Sequence, residues 1–578
     1  MGFLAPKLPP RFDVLMWYLN MRAERLKPLV KHWAEYGIGM PWGMYVLYWV
    51  KLAGYVAGGL AFIQLTPGIG SVTDIANWWW QPVVLQKAVL WTLGFEVLGL
   101  GCGFGPLTAR FVPPVGGPLY FARPGTIRQP PWGGKLPLTG GDTRTWVDAL
   151  LYVGLLFSIG YALLCPADYQ CNGLNGPVHM LNPHLMIPIV VLIPLLGLRD
   201  KTVFLAARPE HFWFATAAML LPFLDTVAVI KLLTVFIWLG AATSKLNRMF
   251  PFVIQVMLSN SPVMPRFLKR RLYRDFPDDV LPSGFTRLIA YAAAAVEFGA
   301  PLVLLLSSSS TVTTIAALVM IAFHLQILTA MPIGVPLEWN VFMLFSAAWL
   351  FLGHPDQYVI TAQHPWCLGV FGLPVLLLIA WGNLRPDQVS FLLSMRYYAG
   401  NWSTSMWLFE RSGIDKVNRH ATHYGGFIKN QLKIIYGEQI AEWLAHKIQT
   451  FRLMHHHGRA LFALLPRANR GHEDAVLVEG EVVAGSLLGW NFGDGHLHRE
   501  QLIESLHRRC RFEPGELRVV LLEARPIDSD RQWYRLVDAA TGQFEQGYVL
   551  VSDLVNLQPW EYAELPVHVI RASARRAG

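Results

Sequence analysis

Charge is scarce in this chain. Only 15% of its 578 residues are Asp, Glu, Lys or Arg, against 53% hydrophobic. Soluble domains usually carry about 25% charged residues, so a single water-surrounded globule is excluded. Cysteine is scarcer, at five, and no two pairs fall at zinc-finger spacing. Cys165 and Cys171 lie in one short loop, where a disulfide and two free thiols are both open readings. The N-terminus lacks a cleavable signal pattern, since its apolar run at 14–19 is too short and no small-residue site follows. Met1-Gly2 opens like a myristoylation site, but Pro6 stands where Ser or Thr is needed. Internal repeats and long low-complexity tracts are missing. So is any basic stripe with interleaved aromatics, which argues against nucleic acid as a partner. The formal charge of +9 is explained by basic loops that hold membrane proteins in place.

What is present is apolar sequence in blocks. A helix needs roughly 17–25 residues to cross a bilayer, and such blocks stand near 43–64, 83–101, 147–165, 183–198, 203–222, 226–246, 285–306, 311–330, 339–353 and 366–382. The pattern predicts a mainly α fold: a polytopic transmembrane bundle of about 10 spans with a small α+β soluble C-terminal domain. The fifth and sixth blocks are the least regular, because Arg208, Glu210, His211 and Asp225 interrupt them. With ten spans, the basic N-terminus, the basic loop 110–144 and the basic run 266–274 share one side, read as cytoplasmic, and both termini lie there. Four regions follow: an amphipathic lead-in over 1–42, the bundle over 43–383, amphipathic membrane-surface helices over 384–470, and the α+β domain over 471–578.

Three constellations could carry chemistry. The first is intramembrane. Lys245 ends the sixth block, Glu297 lies inside the seventh, His324 inside the eighth, and Glu338 opens the ninth after the Pro332/Gly334/Pro336 break. Ionisable groups and broken helices at membrane depth are costly unless they line a cavity. An amine in such a cavity can act as a base, a histidine can pass the proton on, and Glu338 can orient the lysine. Glu96, near the inner end of the second block, is placed to join them. Taken singly, Lys245 could equally snorkel to the interface and His324 could be a hydrogen-bonded core residue.

The second constellation is Asp494-x-His496-x-His498. On a strand this spacing puts three candidate zinc or iron ligands on one face; as a glycine-rich turn it needs no metal. His455-His-His457 is a poorer candidate, since three successive helical residues point apart. The third is the Pro/Gly loop carrying Arg123 and Arg128, which could hold a phosphate or carboxylate headgroup or serve as a plain basic anchor. Trp78-Trp-Trp80, at a span entrance, fits interfacial anchoring.

Around the first constellation, Trp238-Leu-Gly-Ala-Ala-Thr-Ser-Lys245-Leu-Asn247 resembles the lysine motif of the vitamin K-dependent gamma-carboxylase. Phe323-His324, Ile333-Gly334, Met343 and Leu350-Phe351 resemble a signature of the same superfamily, which includes related bacterial transmembrane domains and, more distantly, DoxX-type proteins. The resemblance covers roughly residues 225–355. Length and layout also resemble an uncharacterised bacterial multi-pass family. These resemblances imply a bacterial cytoplasmic (inner) membrane location. They also imply that Lys245 is a base acting on a lipid-soluble substrate, with a quinone, quinol or bound lipid as the molecule held. The competing class is a non-catalytic lipid-handling or envelope-assembly factor whose C-terminal domain recruits a protein partner. A transporter stands third, without an inverted repeat to support it.

Overall fold

The computed structural model describes residues 3–8, 13–101, 117–330, 337–527 and 529–573. Pro332, Gly334 and Pro336 of the expected helix break fall outside them, as does Ile333.

Six helices are long and apolar enough to cross a membrane: Trp42–Gln64, Trp146–Leu164, Phe223–Ser244, Gly284–Leu306, Ser310–Ala330 and Trp366–Leu384. About ten were expected. The remaining apolar blocks form shorter pieces. Pro82–Val97 has 16 residues, Met186–Arg199 has 14 and Leu337–Phe351 has 15. The block at 203–222 is broken into a helix ending at Ala206, a wider turn over Pro209–Trp213 and a helix over Phe214–Ala218. The break follows from Arg208, whose left-handed φ of 44° no regular helix accommodates. Apolar composition measures burial as well as membrane depth, and these pieces are packed against their neighbours. Pro82–Val97 is buried along nearly its whole length. It runs antiparallel to Trp42–Gln64, as Lys87 Nζ donates to the Phe62 carbonyl at 3.0 Å and Tyr55 meets Thr92 at 2.7 Å.

Phe223–Ser244 is the central helix. Of its apolar window 89% is buried, against at most 39% in the other five. Its neighbours Gly284–Leu306 and Ser310–Ala330 turn Leu288, Tyr291, Leu306, Ile315 and Leu318 outward. An outer shell of large apolar side chains is what a bilayer-facing surface requires.

The C-terminal region is built on one antiparallel six-stranded sheet. Its strand order is His568–Ala572, Gly542–Leu550, Arg531–Asp538, Leu517–Leu522, Thr404–Phe409, Val476–Glu479. A boundary at 470 was expected. The sheet crosses it, because Thr404–Phe409 is an interior strand, paired on one side with Val476–Glu479 and on the other with Leu517–Leu522. All six of its residues are buried, so it carries no period-2 alternation to mark it as a strand.

This region is tied to one end of the bundle. Arg22 N–H donates to Glu473 at 3.1 Å, the Gln129 amide to the Leu497 carbonyl at 2.7 Å, and Val280 N–H to Gln558 at 3.0 Å. The N-terminal lead-in, the loop 110–144 and the strand Asp279–Pro282 therefore meet one body. Cys165 and Cys171 carry free thiols, with Cys171 Sγ 3.2 Å from the Met180 sulfur.

Candidate functional site

The central helix, both outer helices beside it and the C-terminal region together enclose a cavity of about 190 Å3. Three of the intramembrane residues reach it. Lys245 caps the central helix, and its ammonium donates to the Glu297 carboxylate. The lysine Nζ also lies 5.6 Å from the Phe250 ring centre and 5.9 Å from that of Phe323. Both ionic side chains are nearly buried, at 12% and 5% exposure. The Lys-Leu-Asn stretch has a structural reason as well. Asn247 donates to the carbonyls of Ser244 at 2.8 Å and Ala399 at 2.9 Å, and accepts from Met249 N–H at 2.9 Å. That amide closes the helix end and fixes where Lys245 stands.

His324 has both ring nitrogens engaged. The Trp238 indole N–H donates to Nε2 at 2.9 Å, and Nδ1 lies 2.8 Å from Asn340 Oδ1. An indole nitrogen can only donate, so Nε2 is the acceptor and Nδ1 carries the proton toward Asn340. The imidazole is therefore held neutral, in one tautomer and one orientation.

Glu338 and Glu96 lie elsewhere. The Glu338 carboxylate is 3.7 Å from Lys51 Nζ on the first span, where the sequence reading had it orienting Lys245. Glu96 sits 3.2 Å from Arg208, and both side chains are fully buried. That guanidinium stacks 4.4 Å from the Phe492 ring centre.

Much of the remaining cavity wall escaped sequence reasoning. Tyr397, Tyr398, Phe451, Glu481 and Phe492 all come from the region after residue 385. Tyr397 Oη donates to Glu210 at 2.8 Å, and Arg452 holds both Glu479, at 3.2 Å, and Glu481. Tyr398 takes a φ of 42° and Met395 one of 54°. Non-glycine residues in this region are sparse and favour turns, and here they fold the loop back against the bundle. Two further ionic anchors sit at the far end of the central helix. Lys231 donates to the His354 carbonyl at 2.7 Å, and Asp225 meets His364 at 2.7 Å. A lone lysine inside an apolar run was the available signal for Lys231.

Asp494, His496 and His498 do not present one strand face. They lie on a short 3-10 turn over Gly495–Leu497, which Asp494 caps through His496 N–H at 3.0 Å. Burial alone would raise the Asp494 carboxyl, but contacts with His496 and Ser390 hold it down to about 2. His498 Nδ1 meets Ser405 Oγ at 2.6 Å, and burial pushes that imidazole down to about 3, against the pull of Asp494. Among the described residues no three His, Cys, Asp or Glu side chains converge as a metal site would need. The reason is local: a turn does not alternate its side chains as a strand does.

Arg128 is buried and bound at 3.0 Å to Asp148, which Arg199 also holds at 2.6 Å. Arg123 is exposed. The Pro/Gly loop therefore docks one arginine inward rather than offering two to a headgroup.

Residues 1–570 match a family described as transmembrane protein of unknown function (DUF3556). The chain belongs to this family. No curated protein and no solved structure matches it, and the family match makes no link to the gamma-carboxylase or to DoxX-type proteins. As a DUF3556 member the chain is a transmembrane protein, in keeping with its six long apolar helices.

Proposed function

We propose that this membrane protein takes the ring or chain end of a lipid-soluble molecule, quinone-like or lipid, into the cavity beside Lys245 and exchanges a proton with it. The observation that carries this reading is an ion pair, Lys245–Glu297, facing a cavity whose walls are otherwise mostly aromatic and aliphatic. An apolar cavity of about 150 Å3 accepts a benzene-sized ring, so about 190 Å3 takes one substituted ring or the end of an acyl chain, with the remainder outside. Half-buried Ile254, Met257, Ala293 and Ile327 and exposed Gln326 lie along the opening. A rim this apolar favours entry from lipid over entry from water.

In the proton step, Lys245 gives its extra proton to Glu297 and so becomes a neutral amine. That amine takes the proton of an acidic O–H on the bound molecule and leaves its oxygen as an anion beside the restored ammonium. His324, fixed as a neutral ring, orients Trp238 and Asn340 on the same wall. A second reading, a lipid-holding protein without chemistry, is favoured by the full engagement of His324.

Mass spectrometry of organic extracts from the purified protein tests both, wild type beside Lys245→Ala. One enriched lipid-soluble compound in the wild type, lost or chemically altered in the variant, is the expected result. The same compound retained unaltered by both would leave the holding reading. Bulk phospholipid alone in both would defeat the two together.

A further inference from the structure

At the end of the bundle that meets the C-terminal region, the chain from 266 to 287 carries six basic and three acidic side chains. It ends in the first turn of the membrane-type helix Gly284–Leu306. A concavity of about 500 Å3 opens there, lined by Arg270, Arg271, Arg274, Tyr273, Phe276 and Phe285, with Asp275 and Ser283 also on its wall. We propose that this concavity binds the phosphate headgroup of an anionic phospholipid.

Four observations point to this ligand. First, the three cations are arginines, whose planar fork matches two phosphate oxygens at once, which a lysine cannot do. Second, they are accessible. Arg270 and Arg274 remain 57% and 50% exposed although each has a carboxylate beside it, Glu35 for the first and, at 3.3 Å, Asp279 for the second. Arg271 is exposed, and among the described residues no carboxylate pairs with it. Third, cations outnumber acids on the wall: three arginines line it against one carboxylate, Asp275, while Asp278 is drawn away to Lys31 at 3.4 Å. Fourth, the site is amphipathic in the right sense. Phe285 and Leu288, 43% and 66% exposed, begin the lipid-facing surface of the helix beneath the arginines. An acyl chain can lie along that surface while its phosphate sits above. A loop that served only to orient the protein would need the charge but neither the concavity nor the three aromatic rings that help line it.

Binding of single lipids to the full chain in detergent, counted by native mass spectrometry, tests the proposal. The probes are phosphatidylglycerol, phosphatidylcholine and inorganic phosphate. Variants are Arg271→Gln/Arg274→Gln together, Arg271→Gln alone in case the double change disturbs folding, and Arg571→Gln as a remote charge control. Phosphatidylglycerol should bind at least tenfold tighter than phosphatidylcholine. Each arginine near an anionic surface contributes about fivefold, so the double variant should weaken it about 25-fold and Arg271→Gln alone about fivefold. Arg571→Gln should leave it unchanged. Equal binding of the two lipids, or equal loss in the control, overturns the site. Displacement of phosphatidylglycerol by millimolar inorganic phosphate overturns the lipid assignment, because a free phosphate would then suffice.

Discussion

Single buried polar residues decide much of this protein's stability, and Asp200 is a clear case. Its carboxylate accepts from Arg144 at 2.6 Å and 2.9 Å, and from the backbone of Gln129 at 3.2 Å and Thr202 at 3.0 Å, all out of water. Breaking a buried pair from one side leaves an uncompensated charge and costs about 3–5 kcal/mol. Asp200→Ala should lower the thermal midpoint in detergent by that equivalent, whereas Asp387→Ala, at the surface, should change it little. His498 sets a pH dependence. Its ring is held near 3, below the ordinary 6.5, so folding keeps it neutral where the unfolded chain would protonate it. Its contribution is complete above about pH 6.5 and is lost as pH falls from there toward 3, at about 1.4 kcal/mol per pH unit per such histidine. Unfolding midpoints measured between pH 7 and pH 5 should fall, and His498→Gln should flatten that slope.

Helix packing here depends on residues too small to stand out in a hydropathy profile. Gly58, on the first span, lies under the Trp91 ring, and a Cβ there would come within 2.4 Å of it. Trp91 cannot swing away freely, because its indole N–H donates to the Tyr55 carbonyl at 2.8 Å. Overpacking of this kind costs about 1–3 kcal/mol. Gly58→Ala should therefore destabilise the pair Trp42–Gln64 and Pro82–Val97, read as a lower midpoint, and Gly58→Ala with Trp91→Leu should recover part of the loss. Apolar blocks read from sequence located the six long helices but passed over Phe250–Asn260, a short apolar helix that lines the cavity. Helix lengths were less legible: Pro82–Val97 and Leu337–Phe351 are apolar because they are enclosed by protein, and composition cannot separate that from lipid contact. Arg208 and Glu210 marked the broken stretch correctly as irregular, since ionisable groups there demand partners, which Glu96 and Tyr397 supply.

At the scale of the whole molecule, the C-terminal region is a wall of the cavity and not an appendage. Tyr397, Phe451, Glu481 and Phe492 line it, and Arg509 pins the region to the bundle through Asp142 at 2.7 Å. A chain ending at residue 384 should therefore lose whatever compound the full protein retains in its organic extract, even if its helices still insert. Limited proteolysis of the folded protein should release no stable fragment beginning near 471, because Thr404–Phe409 is interior to the sheet.

The sequence by itself determined that the chain is embedded in a membrane, where its six long apolar helices lie, and that Lys245, Glu297 and His324 stand in or at the ends of apolar segments. Each of these follows from local facts: the cost of placing charge among apolar residues, and the length of an apolar run. Tertiary structure alone decided partners. It gave Glu338 to Lys51 and Glu96 to Arg208, put His498 against Ser405, and closed the cavity with residues about 150 or more positions beyond Lys245. Pairing between distant segments depends on how helices and sheet pack in space, and no local spacing in the chain encodes that distance.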